Sequence, residues 1–143
     1  VSELDPEALA VLLPRLRTVI DGGLLVLIWM VQRIVYPSFL EIHEDRLQAW
    51  HARYMPAIGS IVGPLMLLQV AVILLQVVLF GRPVDLISGS LVLAVWISTA
   101  VFSVPCHRRI EQGRGDRTVL QRLVLTNWPR TILWTIIFLV GWW

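Results

Sequence analysis

The chain contains no lysine; all 12 of its basic residues are arginine. Charge of either sign is sparse, at 15% of 143 residues, where a soluble domain carries about a quarter. The formal net charge of +2 is too small to point to nucleic acid. Cys106 is the single cysteine, so no intrachain disulfide can form. No phosphate-cradling glycine loop, Ser-His-Asp pattern, HExxH or dinucleotide fingerprint occurs. No HxxxH or CxxC spacing supports zinc, so neither a catalytic residue nor a metal ligand is assigned. The opening VSELDPEAL has no basic n-region and no small-residue cleavage site, and is not expected to be a signal peptide.

What the chain has in excess is apolar surface: 57% of its residues are hydrophobic. They fall in long blocks, the pattern of membrane spans. The blocks are residues 18–40, 56–80, 86–104 and 124–143. Twenty-five residues at about 1.5 Å each cover roughly 37 Å, enough to cross a bilayer with some tilt. Open sheet cannot span lipid, and four segments are too few for a closed barrel. The expected fold is all-α: one membrane domain over 1–143, a four-transmembrane-helix up-down-up-down bundle. Asp5-Pro6 reads as a helix start. Pro14 is expected to end or bend that helix, leaving a short interfacial helix at 6–13.

Topology follows from the arginines. Nine lie at the end of the bundle that holds loops 41–53 and 106–123; Arg15, Arg17 and Arg82 lie at the other. The positive-inside rule then places both longer loops in the cytoplasm, and both termini and the short 81–85 hairpin outside. The expected location is the bacterial inner membrane, with Trp142-Trp143 in the outer interfacial belt.

Unusual residues gather at the cytoplasmic ends of all four spans. Helix one contributes Gln32, Arg33 and Tyr36; helix two starts after His51 and Tyr54. Helix three closes with Pro105-Cys106-His107, and helix four opens with Asn127, Trp128 and Arg130. Polar groups inside a membrane usually face a bundle interior or a cavity. His51, His107, Arg33, Arg130, Tyr36 and Asn127 are therefore the candidate cofactor-binding residues. Two facing histidines suit haem, one accessible imidazole suits a chlorophyll-type pigment, and the polar set suits a quinone. The arginines suit a propionate, a phosphate or a lipid headgroup. The alternative is that they snorkel to lipid phosphates while the amides join neighbouring helices.

Several other features have plainer expectations. Asp21 is expected at headgroup depth or paired with Arg17 one turn earlier. Gly59-xxx-Gly63 offers a small face for close helix packing, within the bundle or with a partner. Trp29 and Trp96 lie inside spans and are expected to fill core. Cys106 and His107 are sequence neighbours, which on a helix point about 100° apart, so they make a poor nucleophile–base pair.

Residues 31–39 (VQRIVYPSF), 51–69 (HARYMPAIGSIVGPLMLLQ) and 104–134 carry a resemblance. Val104-Pro105-Cys106-His107 and Thr126-Asn127-Trp128 with Arg130-Thr131 are its most specific pieces. On these residues the chain resembles a family of small, uncharacterised bacterial four-helix integral membrane proteins, over most of residues 20–140. More distantly, the layout is similar to the anthrone-oxygenase-like domain, although no catalytic motif carries over. The resemblance implies a fold and no activity.

The expected role is a non-catalytic accessory subunit of a larger energy-transducing membrane complex, photosynthetic or respiratory. Its partners would be the lipid bilayer and other membrane subunits. The alternative is a haem-, pigment- or quinone-binding membrane oxidoreductase that uses the polar cytoplasmic-side pocket.

Overall fold

A computed structural model describes residues 5–142, and all of their regular structure is helical. Four helices are long and apolar enough to cross a membrane: α1 (Pro6–Phe39), α2 (Glu44–Leu79), α3 (Pro83–Glu111) and α4 (Arg117–Val140). Helices α1 and α3 each pack on both α2 and α4, so the four form a bundle. The chain is thus a multi-pass helical membrane protein.

The Asp5 carboxylate accepts from the Glu7 amide at 3.0 Å and starts α1, with Pro6 in its first turn. Pro14 does not end the helix; residues 6–13 are the first turns of α1. A helical proline loses one backbone bond and crowds the preceding turn. Here the bundle grips the helix on both sides of it, because Leu13 and Arg17 are both buried. The separate interfacial helix expected at 6–13 is absent for that reason.

The connections are also shorter than polarity suggested. Residues 44–53 belong to α2, 106–111 to α3 and 117–123 to α4. The Asp116 side chain caps α4 on the Val119 amide at 2.8 Å. These charged stretches are helix ends that run on past the apolar segments. The α2–α3 turn is as tight as expected. Gly81 adopts φ 58° and its amide bonds the Gln76 carbonyl at 3.2 Å, closing α2.

Pro105 does not close α3 either. The turn before it, Thr99–Ser103, is π-helical, as is Val31–Val35 before Pro37 in α1. The Val104 amide reaches Thr99, and the Tyr36 amide reaches Val31. A proline ring clashes with the carbonyl four residues earlier, and a wider turn relieves the clash. In α4, a single-residue turn at Asn127 precedes Pro129. These devices set Gln32, Tyr36, Ser103, His107 and Asn127 facing inward, all of them buried.

Leu24, Ile28, Met66, Val92, Val95, Trp134 and Ile137 form the apolar middle of the bundle. Trp29 and Trp96 are not core: they are 39% and 38% exposed on the outer faces of their helices. Among the described residues the buried tryptophan is Trp134. Trp142 is exposed, and Trp143 lies outside the described residues.

Candidate functional site

Two layers of buried polar side chains cross the bundle. At about 1.5 Å per residue, Tyr36 and Asp21 lie roughly 22 Å apart along α1, and His51 and Gln69 roughly 27 Å apart along α2.

The layer nearer the termini is balanced in charge. Arg17 Nε donates to Asp21 Oδ2 at 3.1 Å, and its Nη2 donates to Ser88 Oγ at 2.5 Å. Asp85 lies 3.9 Å from the same guanidinium and accepts from Arg82 at 2.8 Å. That contact holds the Arg82 guanidinium above its usual pKa, chiefly through the hydrogen bond to Asp85. Gln69 Nε2 donates to Asp21 Oδ1 at 2.6 Å, and Trp134 Nε1 donates to Gln69 Oε1 at 3.3 Å. The expected Arg17–Asp21 pair is present, but the bundle encloses it, leaving Asp21 only 1% exposed. Two cations meet two carboxylates, the arrangement that makes burial of charge tolerable.

The second layer holds most of the residues singled out from the sequence. His51 Nε2 lies 2.9 Å from His107 Nδ1, and His107 Nε2 lies 3.1 Å from the Tyr36 hydroxyl. Arg130 Nη2 donates to Tyr36 Oη at 3.2 Å and also to Asn127 Oδ1. Asn127 Nδ2 donates to Gln32 Oε1 at 2.8 Å, which also accepts from Thr131 at 3.3 Å. Gln32 Nε2 returns to the Val124 carbonyl at 3.2 Å. All four helices contribute. Arg33 is the exception; it is exposed on α1 and takes no part. Cys106, beside His107, is buried among Ile110, Leu120 and Leu123 instead.

The imidazole–imidazole–phenol chain has two proton arrangements. In one, Tyr36 donates to His107 and His107 to His51, leaving the buried His51 Nδ1–H without an acceptor. In the other, His51 donates to His107 and His107 to Tyr36. The Tyr36 oxygen then accepts from both His107 and Arg130, and its proton is free for another acceptor. In either, the two imidazoles bond each other directly. A metal held between two imidazoles needs about 4 Å between their nitrogens, at ~2 Å per bond. At 2.9 Å this pair has no room for a haem iron.

Beside this layer lies a cavity of about 270 Å³. Tyr36, Tyr54, Thr99, Ser103, His107 and Arg130 line it, and the rest of its walls are largely apolar, reaching Ile28, Met66 and Trp134. Its far wall is the stretch of α2 that carries Met55, Ile58, Gly59, Val62 and Gly63. No residue of α2 between His51 and Met66 is buried. Gly59 and Gly63 therefore pack on no other helix of the bundle, and a Cβ built at either meets nothing within 4 Å. Close packing of these glycines within the bundle is absent; they border open space.

Two residues that line this cavity each keep a buried donor without a partner: Arg130 at Nε and Ser103 at Oγ. Arg130 is 7% exposed and has no carboxylate within ion-pair distance among the described residues. An isolated buried cation is costly unless something compensates it.

Sequence reasoning missed Ser103 and Thr131, whose hydroxyls looked like ordinary span residues. It also missed Asp85, which looked like part of the 81–85 turn, and Ser88, which looked like an ordinary span residue; their spacing at i and i+3 on one helical face was the available signal. Compared with family models, curated protein sequences and solved structures, the chain matches none of them.

Proposed function

We propose that this protein binds a lipid-soluble molecule by its oxygen-bearing head, in the cavity beside Tyr36, His107 and Arg130. One observation carries the reading: a mostly apolar cavity of about 270 Å³ with Tyr36, His107 and Arg130 at its polar end, where the lining residues Arg130 and Ser103 each keep a buried donor without an acceptor. That volume suits a single ring, or a polar head with the first carbons of a chain. Gly59 is exposed, so the cavity opens on the side of α2, and a tail has a way out into the bilayer. A quinone ring fits these terms better than haem, because both nitrogens of His107 are already bonded. An accessory role in an energy-transducing complex draws on no residue of this site, and the cavity reading is preferred.

The proposal includes orientation in the bacterial inner membrane. The arginine-rich end, with the 40–43 and 112–116 connections, faces the cytoplasm. The ligand head then sits on the cytoplasmic side of the bilayer.

The test is chemical extraction. Protein purified in mild detergent should yield a stoichiometric organic-soluble compound by mass spectrometry. Gly63→Leu should yield none. Its side chain enters the empty space at Gly63, and leucine favours the helix over glycine by nearly 1 kcal/mol, so the variant should still fold. Equal recovery from both proteins would show that the compound is not held in the cavity.

A further inference from the structure

The charge of the head follows from the charges around the cavity. We infer that the cavity takes a single-chain organic anion, its acidic head seated against Arg130. This rests on the binding reading above and adds the chemical class.

Three observations point the same way. The layer containing Arg17 carries two cations and two carboxylates, whereas Arg130 has no carboxylate partner among the described residues. No acidic residue lines the cavity. Arg130 and Ser103, which line it, each hold a buried polar atom without a partner, and both of those atoms have a proton to give. In the second proton arrangement described above, the Tyr36 hydroxyl becomes a further donor. What the protein leaves unfilled is a negative charge with several acceptor lone pairs. A carboxylate supplies both and matches a guanidinium in shape. A neutral carbonyl supplies acceptors and leaves the cation uncompensated. About 270 Å³ is room for the head and the first part of one chain, and the open side along α2 takes the rest.

The experiment compares decanoate, decanol and methyl decanoate, binding to the full-length protein in nanodiscs of zwitterionic lipid. Carbon-13 labels at the head carbon report bound and free populations by NMR. Wild type should bind decanoate at least tenfold more tightly than either neutral analogue. Arg130→Gln should bind all three alike, and Arg130→Lys should keep much of the preference. Equal binding of acid and alcohol by wild type would overturn the anion assignment and leave the binding proposal standing. If none of the three binds, nor a short-chain benzoquinone, both proposals fall. Loss of decanoate on adding phosphatidylglycerol to the nanodisc would assign the site to a lipid phosphate and overturn the single-chain assignment. Wild type alone decides the question if the Arg130 variants do not fold.

Discussion

The two buried arginines, Arg17 and Arg130, have opposite surroundings. Arg17 is held by Asp21 and Ser88 and lies near Asp85, so its burial is compensated from three directions. Removing one partner from such a set leaves the others with excess charge, at a cost of about 3 kcal/mol or more. Asp21→Ala should lower the thermal unfolding midpoint in detergent markedly, and Asp21→Asn should do so less, since the amide can still bond Gln69. An unchanged midpoint for Asp21→Ala would show that the layer does not hold the helices together. Individual residues were legible in the sequence where chemistry is rare. A histidine, tyrosine or asparagine in an apolar run stands out, and His51, His107, Tyr36 and Asn127 do meet. Arg33 stood out as strongly but faces outward, because its neighbour Gln32 takes the inward position. Which of two adjacent polar residues turns inward depends on helix phase, and the π turn over Val31–Val35 shifts that phase.

At the level of helices, Pro14 and Pro105 look like helix ends in the sequence and are internal residues in the structure. Pro14, Pro37, Pro56, Pro64 and Pro105 all lie within their helices. Soluble-protein expectations mislead here because bundle packing outweighs a single lost backbone bond, and a π turn absorbs the ring where crowding is worst. Since α1 is continuous through Pro14, an alanine there restores a bond that the flanking turns are already placed to make. Pro14→Ala should therefore stabilise the protein, by up to about 3 kcal/mol. A midpoint that falls instead would mean that α1 needs the proline. The four spans themselves were legible, since long apolar runs have no other fold in lipid. Their ends were not, because a helix leaving the membrane keeps its backbone bonds while its side chains turn polar.

Across the whole molecule, charge is distributed unevenly. By sequence position, nine arginines accompany five acids at one end, and three accompany five at the other. This asymmetry underlies the proposed orientation, which cysteine labelling can test. Cys106 is buried and should stay silent, while single cysteines at exposed Gln112 and Glu7 report opposite ends. In intact spheroplasts a membrane-impermeant maleimide should modify Glu7→Cys and spare Gln112→Cys; the reverse result would invert the topology. The cavity was only half legible at this scale: its polar end could be read from residue types, whereas the gap along α2 is a space between helices that no single residue encodes. That gap also decides where selectivity resides. A guest arriving from the bilayer trades acyl chains for side chains that are no more apolar, so its tail gains almost nothing in the exchange. Partitioning into the membrane concentrates every greasy compound alike, and discrimination among them falls to the few atoms that reach Tyr36, Ser103 and Arg130.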